Sequence, residues 1–268
     1  MKITLLASLL TTAGLMAALS TGALGATQQK IRKPEISGSA GNMCPSGVQS
    51  YKPHIGTASD ALSIEELEKQ SARGEADAMI ALGLRYMLAN EGQNTDVRPS
   101  PDPTKALELF KAAAEKGDGY AEFLVGVAYI KGDGVERSDA EALAWFIRAA
   151  KHKIVPAQFW VGEMTAKGRS VAADWKAALP YFKHAAEGGW ELAYVELGYA
   201  YENGYGVKQD YQKAAFCFRQ QRTLQVAQYN LRQLIKQGYV KWQDNDPMQW
   251  RGIGPGSALD PSKKQLPE

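Results

Sequence analysis

The chain has 268 residues, 45% of them hydrophobic, and a formal charge of +2 that leaves acids and bases nearly balanced. No basic stripe runs along it, which argues against nucleic acid and anionic membrane surfaces as partners. The length allows one large or two small domains, and an internal repeat favours a single array of like units.

Residues 1–25 have the pattern of a secretory signal peptide. Lys2 supplies a positive charge, residues 3–19 are largely apolar, and Ala23 and Gly25 place small side chains before a cleavage site. Polar Thr and Ser residues dilute the apolar stretch, which favours cleavage over retention as a membrane anchor. We therefore expect a mature chain that begins near Ala26, is located in the periplasm and makes no stable membrane insertion.

The stretch 26–62 carries Pro, Gly and Ser without apolar periodicity, so it predicts an extended N-terminal arm. Ser63 and Glu66 then have the spacing of a capping box, in which each side chain accepts from a free backbone N–H at a helix start. The helix that they open is predicted to run to Arg73 and to end at Gly74. A repeat array over 63–237 is the predicted folded domain.

A 36-residue period runs through this array. Its clearest sign is a Phe with an Ala four residues before it, a pair that recurs at Phe110, Phe146, Phe182 and Phe218. Self-similarity with a period of about 20–50 residues is typical of solenoids, in which like units stack on one another. Such an architecture favours a binding function over catalysis.

Each repeat predicts a pair of helices. The first helices carry an Ala, a Leu or Val followed by Gly, and usually a Tyr on one face; they begin near Glu75, Gly119, Val155 and Glu191. The second helices begin at side chains suited to N-capping, namely Asp102, Ser138, Asp174 and Asp210. Because glycine inside a helix costs about 1 kcal/mol relative to alanine, its recurrence predicts close approach of a neighbouring helix backbone.

The first pair and the two ends depart from the pattern. From Ala78 to Ala106 is 28 residues where the other pairs have 21, so the seven extra residues predict an exposed loop at 90–101. A further first-type helix at 224–237 has Arg232 in place of the glycine and predicts a C-terminal cap. The tail 238–268 is expected to dock through its tryptophans.

The two cysteines leave two interpretations open. Cys217 stands at an apolar position of the repeat, where the other units have Leu109, Trp145 and Tyr181, which favours a buried thiol. A disulfide with Cys44 is the alternative, because exported chains form disulfides. That bridge would require the arm to fold back along the array.

No group of residues in the sequence predicts catalysis, a cofactor or a metal site. The three histidines, His54, His152 and His184, belong to no metal-binding motif, and no Cys-x-x-Cys is present. Cys217 and His184 could be imagined as nucleophile and base, but they lie in different repeats. We therefore expect no enzyme activity.

The repeated residues resemble Sel1-like repeats, relatives of the tetratricopeptide repeat. Two units match most fully, GYAEFLVGVAYIKGDGVERSDAEALAWFIRAA at 119–150 and ELAYVELGYAYENGYGVKQDYQKAAFCFRQ at 191–220. The resemblance implies an all-α, α/α superhelical solenoid of about four helix pairs with capping helices at both ends. It also implies a non-enzymatic scaffold that binds another protein along a concave surface formed by the first helices.

Three functions remain compatible with that resemblance. The most concrete is an immunity protein that neutralises a type VI secretion effector of the phospholipase type, since similar short periplasmic Sel1-like proteins have that role. A periplasmic regulator that binds a sensor kinase ectodomain is a second. A glycan-binding or envelope-maintenance protein is a third, in which sugars would stack on Tyr120, Trp160, Trp190 and Tyr199.

The register of related helices also selects a partner-binding surface. Residues two before, two after and five or six after the Leu or Val position are expected to face the concave side: Ile80, Leu84, Phe123, Val127, Phe159, Glu163, Val195, Tyr199 and Glu202. Three of them, Phe123, Phe159 and Tyr199, are predicted to be at least partly exposed, because apolar residues off the repeated face lack a packing role.

Overall fold

The computed structural model describes residue 44 and the ranges 62–88, 101–221 and 224–241, together with residue 243. The predicted signal peptide, most of the arm, most of the loop at 90–101 and most of the tail lie outside the described residues. The chain divides into units Met1–Asn42 and Met43–Glu268, and the first of these lies wholly outside the described part.

The described residues form ten helices and no strand. They follow one another as α1 Ile64–Ala72, α2 Ala76–Leu88, α3 Pro103–Glu115, α4 Gly119–Lys131, α5 Asp139–Lys151, α6 Val155–Lys167, α7 Trp175–Glu187, α8 Glu191–Asn203, α9 Tyr211–Arg219 and α10 Gln225–Lys236. Each helix packs mainly against its neighbours in the chain. The all-α solenoid of four pairs, α2–α3 to α8–α9, is therefore confirmed, with α1 before the pairs and α10 after them.

The helix starts are formed by the predicted caps. The Asp102, Asp174 and Asp210 carboxylates accept from backbone N–H groups three residues later at 2.9–3.0 Å. The Ser63 and Ser138 hydroxyls do the same at 3.2 Å. Each cap satisfies one of the N–H groups that a helix start leaves without an intrahelical acceptor. These residues therefore define where the helices begin.

The repeated Phe and Gly pack against each other within each pair. Phe146, Phe182 and Phe218 are fully buried, and Phe110 is 1% exposed. A Cβ added to the first-helix glycine, as at Gly126, would lie under 3.0 Å from the ring of the Phe in the second helix. The expected reason for the glycine was close approach of a backbone; the neighbour is in fact the Phe side chain.

A disulfide joins Cys44 to Cys217, with 5.5 Å between their Cα atoms and a sequence separation of 173. The preferred interpretation of Cys217 as a free buried thiol is therefore wrong, although the position in α9 is fully buried as the repeat register predicts. The repeat register predicts that the side chain at position 217 is buried, but it does not predict which bond the sulfur forms. Residues 45–61 lie outside the described part, and they connect the Cys44 cross-link at α9 to the start of α1.

The chain after α10 begins against α9. The Tyr239 ring stacks on Tyr211 with centroids 4.1 Å apart, and Val240 is buried. Gln212 and Arg219 donate to the backbone carbonyls of Tyr239 and Lys241. The predicted docking of the tail through Trp242 and Trp250 falls outside the described residues. Within those residues, no helix is long and apolar enough to cross a membrane.

Candidate partner-binding surface

Most side chains of the predicted surface are buried. Leu84 and Glu202 are half-buried, and Tyr199 is 40% exposed. The other six are buried: Ile80, Phe123, Val127, Phe159, Glu163 and Val195. The prediction of exposure therefore holds for Tyr199 and is wrong for Phe123 and Phe159. Contact of these residues with a partner stays a prediction.

The two phenylalanines are buried because their register position also belongs to the core. The Phe123 ring lies 5.8 Å from the Phe146 ring of its own pair. The Phe159 ring lies 5.9 Å from Phe182 and 5.8 Å from Trp190 at the start of the next pair. The helix face with Ala, Leu or Val, Gly and Tyr is thus only part of the core. The position two residues before the Leu or Val, which Phe123 and Phe159 occupy, belongs to the core as well.

Three of the four aromatic residues proposed to stack on sugars are also buried: Tyr120, Trp160 and Trp190. The Trp160 ring stacks on Phe146 with centroids 5.8 Å apart, so its face is occupied by the protein itself. Aromatic faces engaged in helix packing are not open to a ligand. This argues against the glycan-binding alternative in the form that the sequence suggested.

An exposed aromatic cluster lies where α7, α8 and the link after α8 meet. The Trp175 ring lies 5.1 Å from Tyr205 and 6.1 Å from Tyr199, and the two tyrosine rings are 5.6 Å apart. Tyr205 is 39% exposed, nearly the same as Tyr199. Gly206 allows the link to pack closely against α7, because a Cβ at this position would lie 2.6 Å from the backbone nitrogen of Lys176.

A pair of glutamates continues this surface along α6 and α8. Glu163 is buried, and the Lys167 ammonium bonds to its carboxylate at 2.6 and 2.8 Å. Glu196 hydrogen-bonds to Glu163 but forms no ion pair among the described residues. Burial, with the Glu163 charge as a second cause, raises the pKa of Glu196 to about 8. Glu196 therefore holds its proton near neutral pH, and it donates that proton in a hydrogen bond to Glu163.

Glu202 differs from Glu196 in that no lysine or arginine charge among the described residues acts on it. It is half-buried, it has no ion pair within the described part of the chain, and burial raises its pKa to about 7. Burial is the main cause of the raised pKa of the Tyr199 phenol, followed by the Tyr205 phenol, to which Tyr199 donates a hydrogen bond, and then by the charges of Glu202 and Glu196. Glu196, Tyr199 and Glu202 follow one another at three-residue intervals on α8, and the Tyr199 ring lies against Trp175 and Tyr205. We term these five residues the Tyr199 surface.

Buried carboxylates elsewhere in the array are paired with arginine. Glu122 on α4 accepts from Arg148 on α5 at 2.9 and 3.0 Å, and the Arg148 guanidinium lies 4.2 Å from the centre of the Trp145 ring. Arg169 donates twice to Asp139, at 2.7 and 2.9 Å, and this bonding lowers the Asp139 pKa. The first pair joins α4 to α5, and the second joins the link after α6 to the half-buried Asp139 at the start of α5, so their role is structural.

The described residues contain neither a cluster of metal ligands nor a cysteine thiol that could act as a nucleophile. No group of three or more His, Cys, Asp or Glu side chains in them could hold a metal ion. The Cys217 sulfur forms the disulfide with Cys44, so this residue has no thiol for nucleophilic attack. The exposed His184 ring bonds to Glu187 on its own helix at 3.2 Å. The arrangement is suited to recognition of another molecule by rings and carboxyls.

Comparisons with known proteins agree with this architecture. The family model described as Sel1 repeat matches four segments, 76–118, 119–153, 155–190 and 192–220. Among curated proteins, none matches the chain.

Solved structures include similar proteins. The crystal structure of a Sel1 repeat protein from Oxalobacter formigenes is 30% identical with a TM-score of 0.55, and the match covers 65% of this chain and 49% of that one. A protective antigen with an SLR fold from uropathogenic Escherichia coli is 24% identical (TM-score 0.37, covering 69% and 54%). A Sel1 repeat protein from Klebsiella pneumoniae is 20% identical (TM-score 0.40, covering 64% and 83%). The chain thus spans about half the length of the first of these relatives.

Proposed function

The chain belongs to the Sel1 repeat family, and from that premise we propose that it is a non-enzymatic, exported scaffold that binds another protein. Sel1 solenoids typically mediate contacts between proteins. The four consecutive repeats at 76–220 are the observation that carries the proposal. The exposed aromatic rings of the Tyr199 surface support it, since exposed rings beside carboxyl groups are suited to an interface.

Export to the periplasm is supported by two features. The first 25 residues have the order of a signal peptide, with a charge, an apolar stretch and small residues before a cut. The Cys44–Cys217 disulfide is of a kind that forms and persists in oxidising compartments. Fractionation followed by N-terminal sequencing tests this, and we expect periplasmic protein that begins near Ala26. Cytoplasmic protein that retains Met1 would refute export.

In its sharpest form, the proposal is that the protein neutralises a secreted type VI effector of the phospholipase type. The disulfide cross-links the solenoid at its fourth pair and so preorganises it in part, and preorganisation lowers the entropy cost of binding. The test is reconstitution of the oxidised chain with a phospholipase effector encoded beside its gene. We expect a stoichiometric complex and loss of lipid hydrolysis, and unchanged hydrolysis in the presence of excess chain would exclude the immunity role.

A pull-down from an envelope extract separates this role from the alternatives. Enrichment of a sensor kinase ectodomain would support the regulator instead, and binding to glycan fragments alone would support the glycan-binding protein. The burial of Tyr120, Trp160 and Trp190 makes the last outcome the least expected.

A further inference from the structure

The Tyr199 surface combines exposed aromatic rings with Glu202, a half-buried carboxyl that no cation neutralises among the described residues. Lys167 bonds to Glu163 at 2.6 Å and its charge also acts on Glu196, whereas Glu202 has no ion pair in the described part of the chain. Partly buried carboxyls without a counter-charge are costly when they ionise. A cation that enters this surface would relieve that cost, so the surface is complementary to positive charge.

We propose that the Tyr199 surface binds an arginine side chain presented by the protein partner, an inference that rests on the proposed protein-binding function. A guanidinium is planar, stacks on aromatic faces and forms paired hydrogen bonds with a carboxylate. Tyr199 and Tyr205 offer exposed rings, and Glu202 offers the acceptor. An ammonium group is more strongly hydrated and cannot stack, so lysine is less well suited.

The chain contains an internal example of this arrangement. The Arg148 guanidinium lies 4.2 Å from the centre of the Trp145 ring and bonds to the buried Glu122 at 2.9 Å. There, one guanidinium contacts a ring and a buried carboxylate together. The Tyr199 surface has the rings and the carboxyl but no arginine among the described residues. A partner's arginine would complete the same set of contacts.

The direct test measures peptide binding to the oxidised full chain by isothermal titration calorimetry. The probes are a capped hexa-arginine peptide and its hexacitrulline analogue, which has nearly the same shape but no charge. At an ionic strength of about 0.15 M, surface charges more than about 8 Å apart are screened. We expect the arginine peptide to bind at least about tenfold more tightly than the citrulline peptide.

Substitutions locate the site. Glu202→Gln removes the acceptor charge and Tyr199→Leu removes a ring, and each should weaken hexa-arginine binding about five- to tenfold. Tyr199→Phe keeps the ring and should bind nearly as the wild type does. Glu136→Gln, at an exposed glutamate in the link between α4 and α5, is the matched control and should have no effect. Circular dichroism and melting temperature check that each variant folds.

Three results would overturn the proposal. The first is equal binding of the two peptides, and the second is a Glu202→Gln effect no larger than that of Glu136→Gln. The third is selective binding of a neutral chito-oligosaccharide that depends on Tyr199. The protein-binding function is judged separately by partner capture. Capture that persists in Glu202→Gln overturns the arginine site and leaves the scaffold function intact, whereas capture lost in Glu202→Gln but not in Glu136→Gln supports the site.

Discussion

Substitution of Cys44 by serine removes the cross-link and replaces one buried sulfur by a hydroxyl of similar size. The Cys217 side chain stays fully buried in α9, so packing there is retained. The bridge closes a loop between residues 173 apart in sequence, and the chain-entropy relation assigns such a loop about 5 kcal/mol of stabilisation through the unfolded state. We expect Cys44→Ser to lower the free energy of unfolding by an amount approaching this value.

Equilibrium urea unfolding, followed by circular dichroism, measures the effect with and without reductant. Wild type in reductant should resemble Cys44→Ser, and reductant should leave Cys44→Ser itself unchanged. Thiol titration of the denatured wild type should find no free thiol. A loss below about 1 kcal/mol, together with two titratable thiols in the wild type, would refute both the cross-link and the reasoning from loop entropy.

Three further predictions concern packing, protonation and the loop. Phe182→Ala should lower the free energy of unfolding by about 3–5 kcal/mol, because the ring is fully buried against Gly162; a loss under about 1 kcal/mol would contradict that packing. Burial raises the pKa of Glu196 to about 8 in the folded chain. The stability that its protonated form contributes is therefore fully present below the pKa of the unfolded chain and is lost as pH rises through 8. Glu196→Gln should therefore weaken the fall in stability between about pH 5 and 8, measured by urea titration at several pH values, whereas the exposed-site control Glu136→Gln should keep it. Deletion of the seven extra residues in the loop at 90–101 should leave the melting temperature nearly unchanged, and a large drop would mean that the loop is packed.

The helix pairs could be predicted from sequence because local signals and the repeat agree. N-cap side chains such as Asp174 define helix starts by short-range hydrogen bonds. The 36-residue period places the buried Phe, as at Phe146, in the same register each time. Predicted starts such as Glu75 lie within one residue of the observed one at Ala76. Signals that act over a few residues need no knowledge of tertiary contacts.

The surface could be predicted only in part, because exposure depends on what the next pair covers. Phe159 is buried in part by Trp190, which caps the first helix of the next pair. The aromatic cluster joins Trp175 to Tyr205, 30 residues later, across two repeats, and only Tyr199 was predicted. One signal was available. Tyr205 stands in the link where the other units have Asp133 and Arg169, and an aromatic residue in a polar link indicates a contact or a site.

Partner capture by the oxidised full chain tests the scaffold function most directly. The experiment is a quantitative pull-down from envelope and secreted fractions, followed by reconstitution of the enriched protein with the purified chain in a calorimeter. We expect one protein that is reproducibly enriched over a urea-unfolded, reduced control and that binds the purified chain with stoichiometry near one to one. No enrichment over that control, or an enriched protein that fails to bind once purified, would contradict a protein-binding function.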